Sequence, residues 1–381
     1  MTEKRSFDVV IVGGGVIGLA CAWRLVRRGA QVALVERAQP PAGATRVAAG
    51  MLAPVGELSF GEPELLKLTL AAAELYPEFI AELETASGVS TGYRRDGAVH
   101  VALDRDEAAE LRRVHELQRS LGLGAEWLPP RRCRELEPGL TPSFNGGVHA
   151  PQEGSVDPRA LTAALLAALE AEPGVELLTE TGVEAALSDG GRITGVWTKR
   201  GEELRAGAVV LAAGARSGQA EWLPEAARPP VRPVKGQILA LRALDGDAPC
   251  RRIVASERIY LVPRPDGRLI VGATVEEQGF DTTVTAGGVH ELLREAYRLL
   301  PEVAEMELVQ AIAGLRPGTP DNLPLVGPSP VEGLLWATGH YRNGILLAPL
   351  AANTIADLLF RSHFYPHSDG KCERNAEGAV G

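Results

Sequence analysis

Gly13, Gly15 and Gly18 stand in the spacing G-x-G-x-x-G, directly behind the apolar run Phe7 to Val12 and at the head of a helix-patterned segment. Residues of these types at this spacing can hold the diphosphate of a dinucleotide. Gly13 makes the tight turn, Gly15 lets the backbone approach a pyrophosphate, and Gly18 lets the helix lie close on the strand. The helix N-terminus adds free N–H groups and the positive end of its dipole. Gln31 to Val35 reads as a second strand closed by Glu36. That carboxylate would accept hydrogen bonds from an adenosine ribose, and it would repel a 2′-phosphate, so NADP is disfavoured. A glycine motif alone is often only a turn. Strand, glycines, helix, strand and acid in one register carry the reading.

The elements that must position this site follow from periodicity and punctuation. Buried-side candidates on the first helix are Ile17, Leu19, Cys21, Ala22, Leu25 and Val26, and Gly29 ends it. A loop of small residues, rich in Pro, Gly and Ala, then leads through A-A-G-M-L. Pro63 to Ser87 has helical spacing, with Pro77 expected to break or kink it. Ala98 to Leu103 reads as a strand, Asp104 to Leu121 as a helix, and Glu126 to Pro138 as short and irregular. Asp157-Pro158 starts another helix by the N-cap and Pro-at-N1 signals. Val175 to Leu178 is a strand. Val183 to Leu187, Arg192 to Thr198 and Glu203 to Ala206 read as a meander. Ala208 to Ala213 reads as a separate buried parallel strand, with Gly214 after it. Arg232 to Arg242, Arg252 to Val262, Leu269 to Thr274 and Met306 to Ala313 are strand-like, and Val289 to Leu300 is helical. Gly333 to Gly339 is a strand, and a second glycine-started helix runs from Gly344 to Phe360.

Two textures therefore interleave. The expected fold class is α/β: a Rossmann-like dinucleotide-binding domain interleaved with an antiparallel-sheet α+β substrate domain. The boundaries drawn are 1–90, 151–224 and 321–365 for the first, and 91–150 and 225–320 for the second. The tail 366–381 is polar and unpatterned and is expected to be disordered. The two domains should share a ligand cleft.

Composition narrows the partners. The 381 residues carry a formal net charge of −10, which argues against nucleic acid or an anionic membrane surface. The 4 cysteines, Cys21, Cys133, Cys250 and Cys372, have no paired spacing, so neither a metal site nor a disulfide framework is supported. The N-terminus leads straight into the first strand, without the pattern of a signal peptide, and no run of about 20 apolar residues could span a membrane. A cytoplasmic protein is expected.

With Glu36, A-A-G-M-L, A-V-V-L-A-A-G, G-L-R-P-G-T-P-D-N-L-P-L-V-G and A-T-G-H-Y-R-N-G-I-L-L-A-P in view, the chain resembles the FAD-dependent D-amino-acid oxidase superfamily, and within it the thiamine-pathway glycine oxidases. V-K-G-Q, Y-L-V-P-R and G-A-T add to the resemblance, which covers Phe7 to Phe360. It implies FAD along the first fingerprint, with Val16 and Ile17 at the diphosphate and Glu36 and Arg37 at the ribose. It places Ala44, Thr45, Ala49, Gly50 and Met51 near the flavin, Val183 near the adenine end, and Gly214 in the cofactor site. His340, Tyr341, Arg342, Asn343, Gly344, Ile345 and Leu346 would lie along the isoalloxazine. The helix start at Gly344 would point its positive dipole end at the flavin edge where charge collects on reduction.

Three substrate residues are implied by the same motifs. Arg316 in G-L-R-P-G-T matches the arginine that binds a substrate carboxylate, which a planar guanidinium can hold bidentately. Tyr260 in I-Y-L-V-P-R would donate its hydroxyl to the same carboxylate, and Arg342 in H-Y-R-N-G would close the cavity. The chain departs from the family pattern at Val275, where Met is frequent, and at Arg216, where Trp is common. Gly314 stands where the covalently flavinylated branch carries Cys, so non-covalent FAD is expected.

The implied activity is oxidation of glycine, sarcosine or small D-amino acids. Hydride would pass from Cα to flavin and oxygen would be reduced to hydrogen peroxide, with the product feeding thiazole synthesis. The motifs show no His–carboxylate pair, which suits a route without a protein base. Relatives are often homotetramers. A dehydrogenase passing electrons to a quinone, and a flavin-binding protein without turnover, remain as alternatives.

Overall fold

The computed structural model describes residues 4–361, apart from 59 and 245. Its β structure consists of two eight-stranded sheets and a two-stranded ribbon. The first sheet runs in the order Leu325–Pro328, Leu334–Thr338, Glu203–Leu211, Lys4–Val12, Val32–Val35, Val175–Leu178. All neighbours in this order are parallel except the first pair. Val183–Asp189 and Arg192–Thr198 extend it as antiparallel strands beside Glu203–Leu211. Val9, Val10, Ile11, Leu34, Val209 and Val210 are fully buried, as continuous apolar runs must be when both sheet faces are covered. Helices Val16–Arg27, Pro63–Ser87, Pro158–Glu170 and Gly344–Arg361 bury their apolar sides in the core on one face. The antiparallel strands and the segment after Leu211 cover the other face, with Ile193, Val196 and Leu223 against Val10, Val12 and Ala33, and ligands of such open parallel sheets bind at the carboxyl ends of the strands.

The second sheet runs Glu307–Gly318, Arg232–Arg242, Arg268–Gly272, Tyr260–Pro263, Ile253–Ala255, Ala98–Val101, Gly147–Ala150, Glu126–Leu128. It is antiparallel apart from the pair Ile253–Ala255 with Ala98–Val101. Side chains alternate between its faces. Leu239, Leu241, Leu269 and Val271 meet Leu292, Ala296 and Leu299 of helix Ala286–Leu299 on one side. Gly236, Ile238, Ile312 and Arg316 turn to the other side, toward the first sheet.

Several elements differ from the sequence expectations. Glu203–Leu211 is one strand, not a meander strand followed by a second one: it pairs with Lys4–Val12 along its whole length, from Lys4↔Glu203 to Val12↔Leu211. Gly207 punctuates the sequence without ending the ladder. Residues 126–138, whose pattern reads as short and irregular, hold a strand, Glu126–Leu128, and a helix, Pro130–Leu136. The last strand of the second sheet runs on to Gly318, because Arg232–Arg242 pairs with it as far as Arg232↔Gly318. Pro317 is tolerated there because the strand is at the sheet edge. Leu325–Pro328 is a strand that the sequence pattern did not show.

The helix Pro63–Ser87 continues through Pro77 as one element. Burial of Tyr76, Phe79, Ile80 and Leu83 along it offsets the lost hydrogen bond. Tyr76 also repairs a second proline. Pro349 lies inside helix Gly344–Arg361 and cannot donate to the carbonyl of Ile345 four residues earlier. The Tyr76 hydroxyl donates to that carbonyl instead, at 3.2 Å. The tail expected to be disordered, with Cys372, lies outside the described residues.

Candidate active site

A cavity of about 1670 Å³ lies between the carboxyl ends of the first sheet and the inner face of the second. Small-molecule pockets usually measure about 300–1,000 Å³, so this one has room for a dinucleotide and a small substrate together. One wall is the glycine turn. Gly13 has φ +119°, and a side chain there would meet the Ala212 carbonyl. A side chain on Gly18 would run into the Gly13 carbonyl, so Gly18 serves helix–strand packing and does not line the cavity. Gly15 faces the open space, where an added Cβ would find only Thr45 Oγ1, at 3.4 Å.

Glu36 is buried, and its carboxylate organises the turn. Oε2 accepts from Gly14 N at 2.6 Å and Oε1 from Ala38 N at 3.0 Å. Each oxygen keeps a further lone pair for a ligand hydroxyl. The N–H of Val16, at the helix start, donates to Thr45 Oγ1 at 3.1 Å, which ties the loop of small residues to the helix N-terminus. Gly13, Gly15, Val16, Ile17, Glu36, Arg37, Ala44, Thr45, Ala49, Gly50, Met51, Val183 and Gly214 all line the cavity. So do His340, Tyr341, Arg342, Asn343, Gly344 and Ile345. Leu346 does not: it is 2% exposed and packs in the helix-side core, because the helix has turned it away from the opening by that point.

Two buried polar atoms on the cavity wall have no partner among the described residues: Thr181 Oγ1 and His340 Nε2. Thr181 follows Glu36 in space, donating its backbone N–H to the Glu36 carbonyl at 3.1 Å. His340 stands just before helix Gly344–Arg361. Burial pushes its imidazole pKa down to about 4, so the ring is neutral near pH 7. Both atoms are closed off from the cavity space by their own surroundings. The open space above Gly15 and the Glu36 carboxylate, each oxygen with a lone pair to spare, fit the diphosphate and ribose of FAD.

The second sheet supplies the opposite wall. Arg316 Nη1 donates to the carbonyls of Lys235, at 3.3 Å, and Thr274, at 3.1 Å. No carboxylate of the described residues forms an ion pair with it. Its guanidinium lies over Gly236 of the adjacent strand, in space that a Cβ would fill. Tyr260 lies over Gly272 in the same manner, its hydroxyl 2.5 Å from where a Cβ would stand. Burial raises the Tyr260 pKa, against a smaller opposing pull from Arg316, so the phenol stays protonated and can donate. Arg342 lies at the rim with its guanidinium 5.3 Å from the Tyr341 ring centroid. Tyr341 has φ +46°, and its N–H donates to Pro317 O at 3.0 Å. That bond joins the turn before the last helix to the strand bearing Arg316.

Sequence reasoning missed several wall residues. Glu57 enters the space near Arg342 and Arg316, and burial raises its pKa while the Arg342 charge opposes the shift. His100 lines the cavity, and behind it the buried Glu153 places Oε2 3.4 Å from His100 Nε2, a His–carboxylate pair that the motifs did not show. The two residues are 53 apart in the chain, and only the fold of the second sheet brings them together. Val275, one of the departures, lines the cavity and is 52% exposed. Arg216, the other, stacks over Phe280 with its guanidinium carbon 4.7 Å from the ring centroid. Gly314 packs against Val47, with no space for a side chain. Cys21, Cys133 and Cys250 are buried elsewhere, and burial raises the Cys21 thiol to about 12. Among the described residues no group of His, Cys, Asp and Glu could hold a metal ion. No helix among them is long and apolar enough to cross a membrane.

The profile of the FAD dependent oxidoreductase family matches residues 8–358. The chain is 39% identical over 368 residues to the bifunctional protein ThiO/ThiG of Trichormus variabilis, covering 94% of this chain and 54% of that protein. The chain thus spans about half the length of that relative. It is 37% identical over 368 residues to the glycine oxidase of Geobacillus kaustophilus, covering 95% of this chain and 94% of the other. The crystal structure of glycine oxidase from Geobacillus kaustophilus matches the fold with a TM-score of 0.86 at 36% identity, over 96% of this chain and 100% of that one.

Proposed function

Since this chain belongs to the FAD dependent oxidoreductase family, we propose that it is an FAD-dependent amino-acid oxidase acting on glycine and on close analogues such as sarcosine and small D-amino acids. The observation that carries this reading is the pairing of Arg316, which has no ion-pair partner among the described residues, with Tyr260 on the second-sheet wall of the cavity. A guanidinium and a phenol converging on one space suit a carboxylate. The glycine oxidase and ThiO/ThiG relatives support the substrate class and a place in thiamine biosynthesis.

FAD, when bound, supplies the two-electron acceptor and the reaction with oxygen. The remaining work falls to the chain. Arg316 and Tyr260 hold the substrate carboxylate and so fix the direction in which its Cα–H points. Helix Gly344–Arg361 presents its N-terminus at the cavity wall, where its dipole favours negative charge. His340, neutral at physiological pH, adds no competing cation there. Arg342 stands at the rim and shields the substrate from water. Gly314 leaves no thiol for a covalent link, which supports non-covalent FAD. The overall balance is glycine, oxygen and water going to glyoxylate, ammonia and hydrogen peroxide, the intermediate imine being hydrolysed or passed on for thiazole synthesis. The segments 1–90, 151–224 and 321–365 act as the cofactor-binding domain in this reading, and 91–150 with 225–320 as the substrate domain.

The test is oxygen uptake with glycine, with peroxide measured in parallel, for the native protein and for Arg316→Ala. Stoichiometric peroxide and a strongly raised KM in the variant would support the reading. An unchanged KM would remove Arg316 from the site.

A further inference from the structure

Arg316 is held from behind by a polar cluster on the far face of its own sheet, and we propose that Glu276, at the centre of that cluster, is a positioning residue for substrate binding. The inference rests on the reading of Arg316 as the carboxylate anchor. It begins with the two carbonyls that receive Arg316 Nη1, those of Lys235 and Thr274. Both residues send their side chains away from Arg316, to one carboxylate. Thr274 Oγ1 donates to Glu276 Oε1 at 2.5 Å, and Lys235 Nζ lies 3.6 Å from Glu276 Oε2. The backbones of Lys235 and Glu276 also exchange N–H···O bonds of 2.9 and 3.0 Å.

The cluster extends further. Gln237 Nε2 donates to Glu276 Oε1 at 2.8 Å and to Thr285 Oγ1 at 3.1 Å. The Gln237 backbone N–H donates to Thr274 Oγ1 at 2.8 Å. Lys235, only 1% exposed at its side chain, also donates to Asp281 Oδ2 at 2.8 Å. Lys235 and Gln237 alternate with Gly236 along one strand, so they point to the opposite face from the guanidinium lying over Gly236. The cluster therefore touches neither the cavity nor any ligand in it. Between Thr274 and Thr285 the chain contributes Val275, Phe280 and Thr282 to the cavity wall. Phe280 lies under Arg216 from the other side of the cavity.

A buried lysine with two acids and three neutral polar side chains is more than strand packing needs, since apolar residues would fill that space without desolvating charge. Its geometric consequence is that both acceptors of Arg316 Nη1 are fixed before substrate arrives. A guanidinium already immobilised loses less freedom on binding a carboxylate. Glu276 thus acts on substrate affinity through Arg316, not on the chemical step or on FAD.

The experiment compares the holoenzyme with Glu276→Gln, Glu276→Ala and Thr274→Val, each alone and in an Arg316→Ala background, by steady-state kinetics on glycine and by FAD titration. The expected result is a roughly tenfold rise in KM for Glu276→Ala and a severalfold rise for Thr274→Val. In both, kcat should stay within twofold and FAD affinity should be unchanged. Glu276→Gln, which keeps an acceptor for Thr274 and Gln237, should recover most of the native KM. In the Arg316→Ala background, the changes at Glu276 and Thr274 should add nothing to KM. Equal, additive effects in both backgrounds, or an unchanged KM in Glu276→Ala and Thr274→Val, would overturn the inference. Should Glu276→Ala fail to fold, Thr274→Val carries the same comparison. If Arg316→Ala alone leaves KM untouched, the carboxylate reading itself has failed. If it raises KM while the Glu276 and Thr274 variants do not, only the positioning role has failed.

Discussion

The Arg316 guanidinium occupies the space above Gly236 that a side chain on that neighbouring strand would fill, while Nη1 bonds the carbonyls on either side of it in the wall. The pairing Gly236↔Gly314 and Val234↔Arg316 sets Arg316 diagonally across from Gly236. The glycine is therefore part of the substrate site although it has no functional group. Gly236→Ala should raise the KM for glycine about tenfold and leave FAD bound, because the added methyl moves the guanidinium without touching the cofactor wall. Arg316→Ala should cost more, about 3 kcal/mol or a hundredfold in kcat/KM, as the loss of a charge-assisted pair implies. Steady-state kinetics on both variants checks the ranking, and a larger loss in Gly236→Ala would contradict it.

The two leading glycines of the fingerprint should separate folding from cofactor binding. Gly15→Ala meets nothing closer than Thr45 Oγ1 at 3.4 Å, so the apoprotein should keep its stability while FAD affinity falls at least tenfold. Gly13→Ala combines φ +119° with a clash against Ala212 and should destabilise the fold itself, by more than the 1 kcal/mol or so of an ordinary Gly→Ala change. Urea unfolding alongside FAD titration distinguishes the two.

How much of this could be read from the chain depends on whether a feature is local. The dinucleotide turn, the strand–helix–strand unit and the helix starting at Gly344 are contiguous patterns, and they stand in the structure close to where periodicity put them. Arg316, Tyr260 and Arg342 lie in short motifs, and the structure brings all three to one cavity. What escaped depends on strand register. Glu203–Leu211 is one strand because its partner says so, not because Gly207 is favourable in a ladder. His100 meets Glu153, and Arg316 meets the Lys235 and Thr274 carbonyls, only through pairings between segments far apart in the chain. Gly18 packs helix on strand, as the motif implies, whereas Leu346, placed at the cofactor by motif, turns into the core directly beside Ile345, which lines the cavity.

Tyr76 offers a stability test free of catalysis. Tyr76→Phe keeps the ring in its core and deletes the hydroxyl that serves the Ile345 carbonyl left open by Pro349. Leaving that buried carbonyl unpaired should cost about 1–3 kcal/mol, read as a lower urea midpoint with an unchanged slope. The double variant Tyr76→Phe with Pro349→Ala restores the helical donor and should recover most of the loss.

His340 predicts a pH dependence in the apoprotein. Burial holds its folded pKa down at about 4, below the ordinary imidazole value of about 6.5, so the unfolded chain binds the proton more tightly. The stability contribution is complete above about pH 6.5 and is lost as pH falls toward 4, by up to about 3 kcal/mol. Thermal melts between pH 7 and pH 4 should show this decline, and His340→Gln should flatten it. An equal decline in the variant would assign the effect to other groups.

The most direct test of the proposed activity is anaerobic addition of glycine to the purified FAD-bound protein, following the visible absorbance of the cofactor, with sarcosine and D-alanine alongside. Glycine should bleach the cofactor fast, and admitting oxygen should reverse this with one hydrogen peroxide formed per cofactor reoxidised. Bleaching that oxygen does not reverse would contradict the oxidase reading, and no bleaching by any of the three would contradict the substrate class.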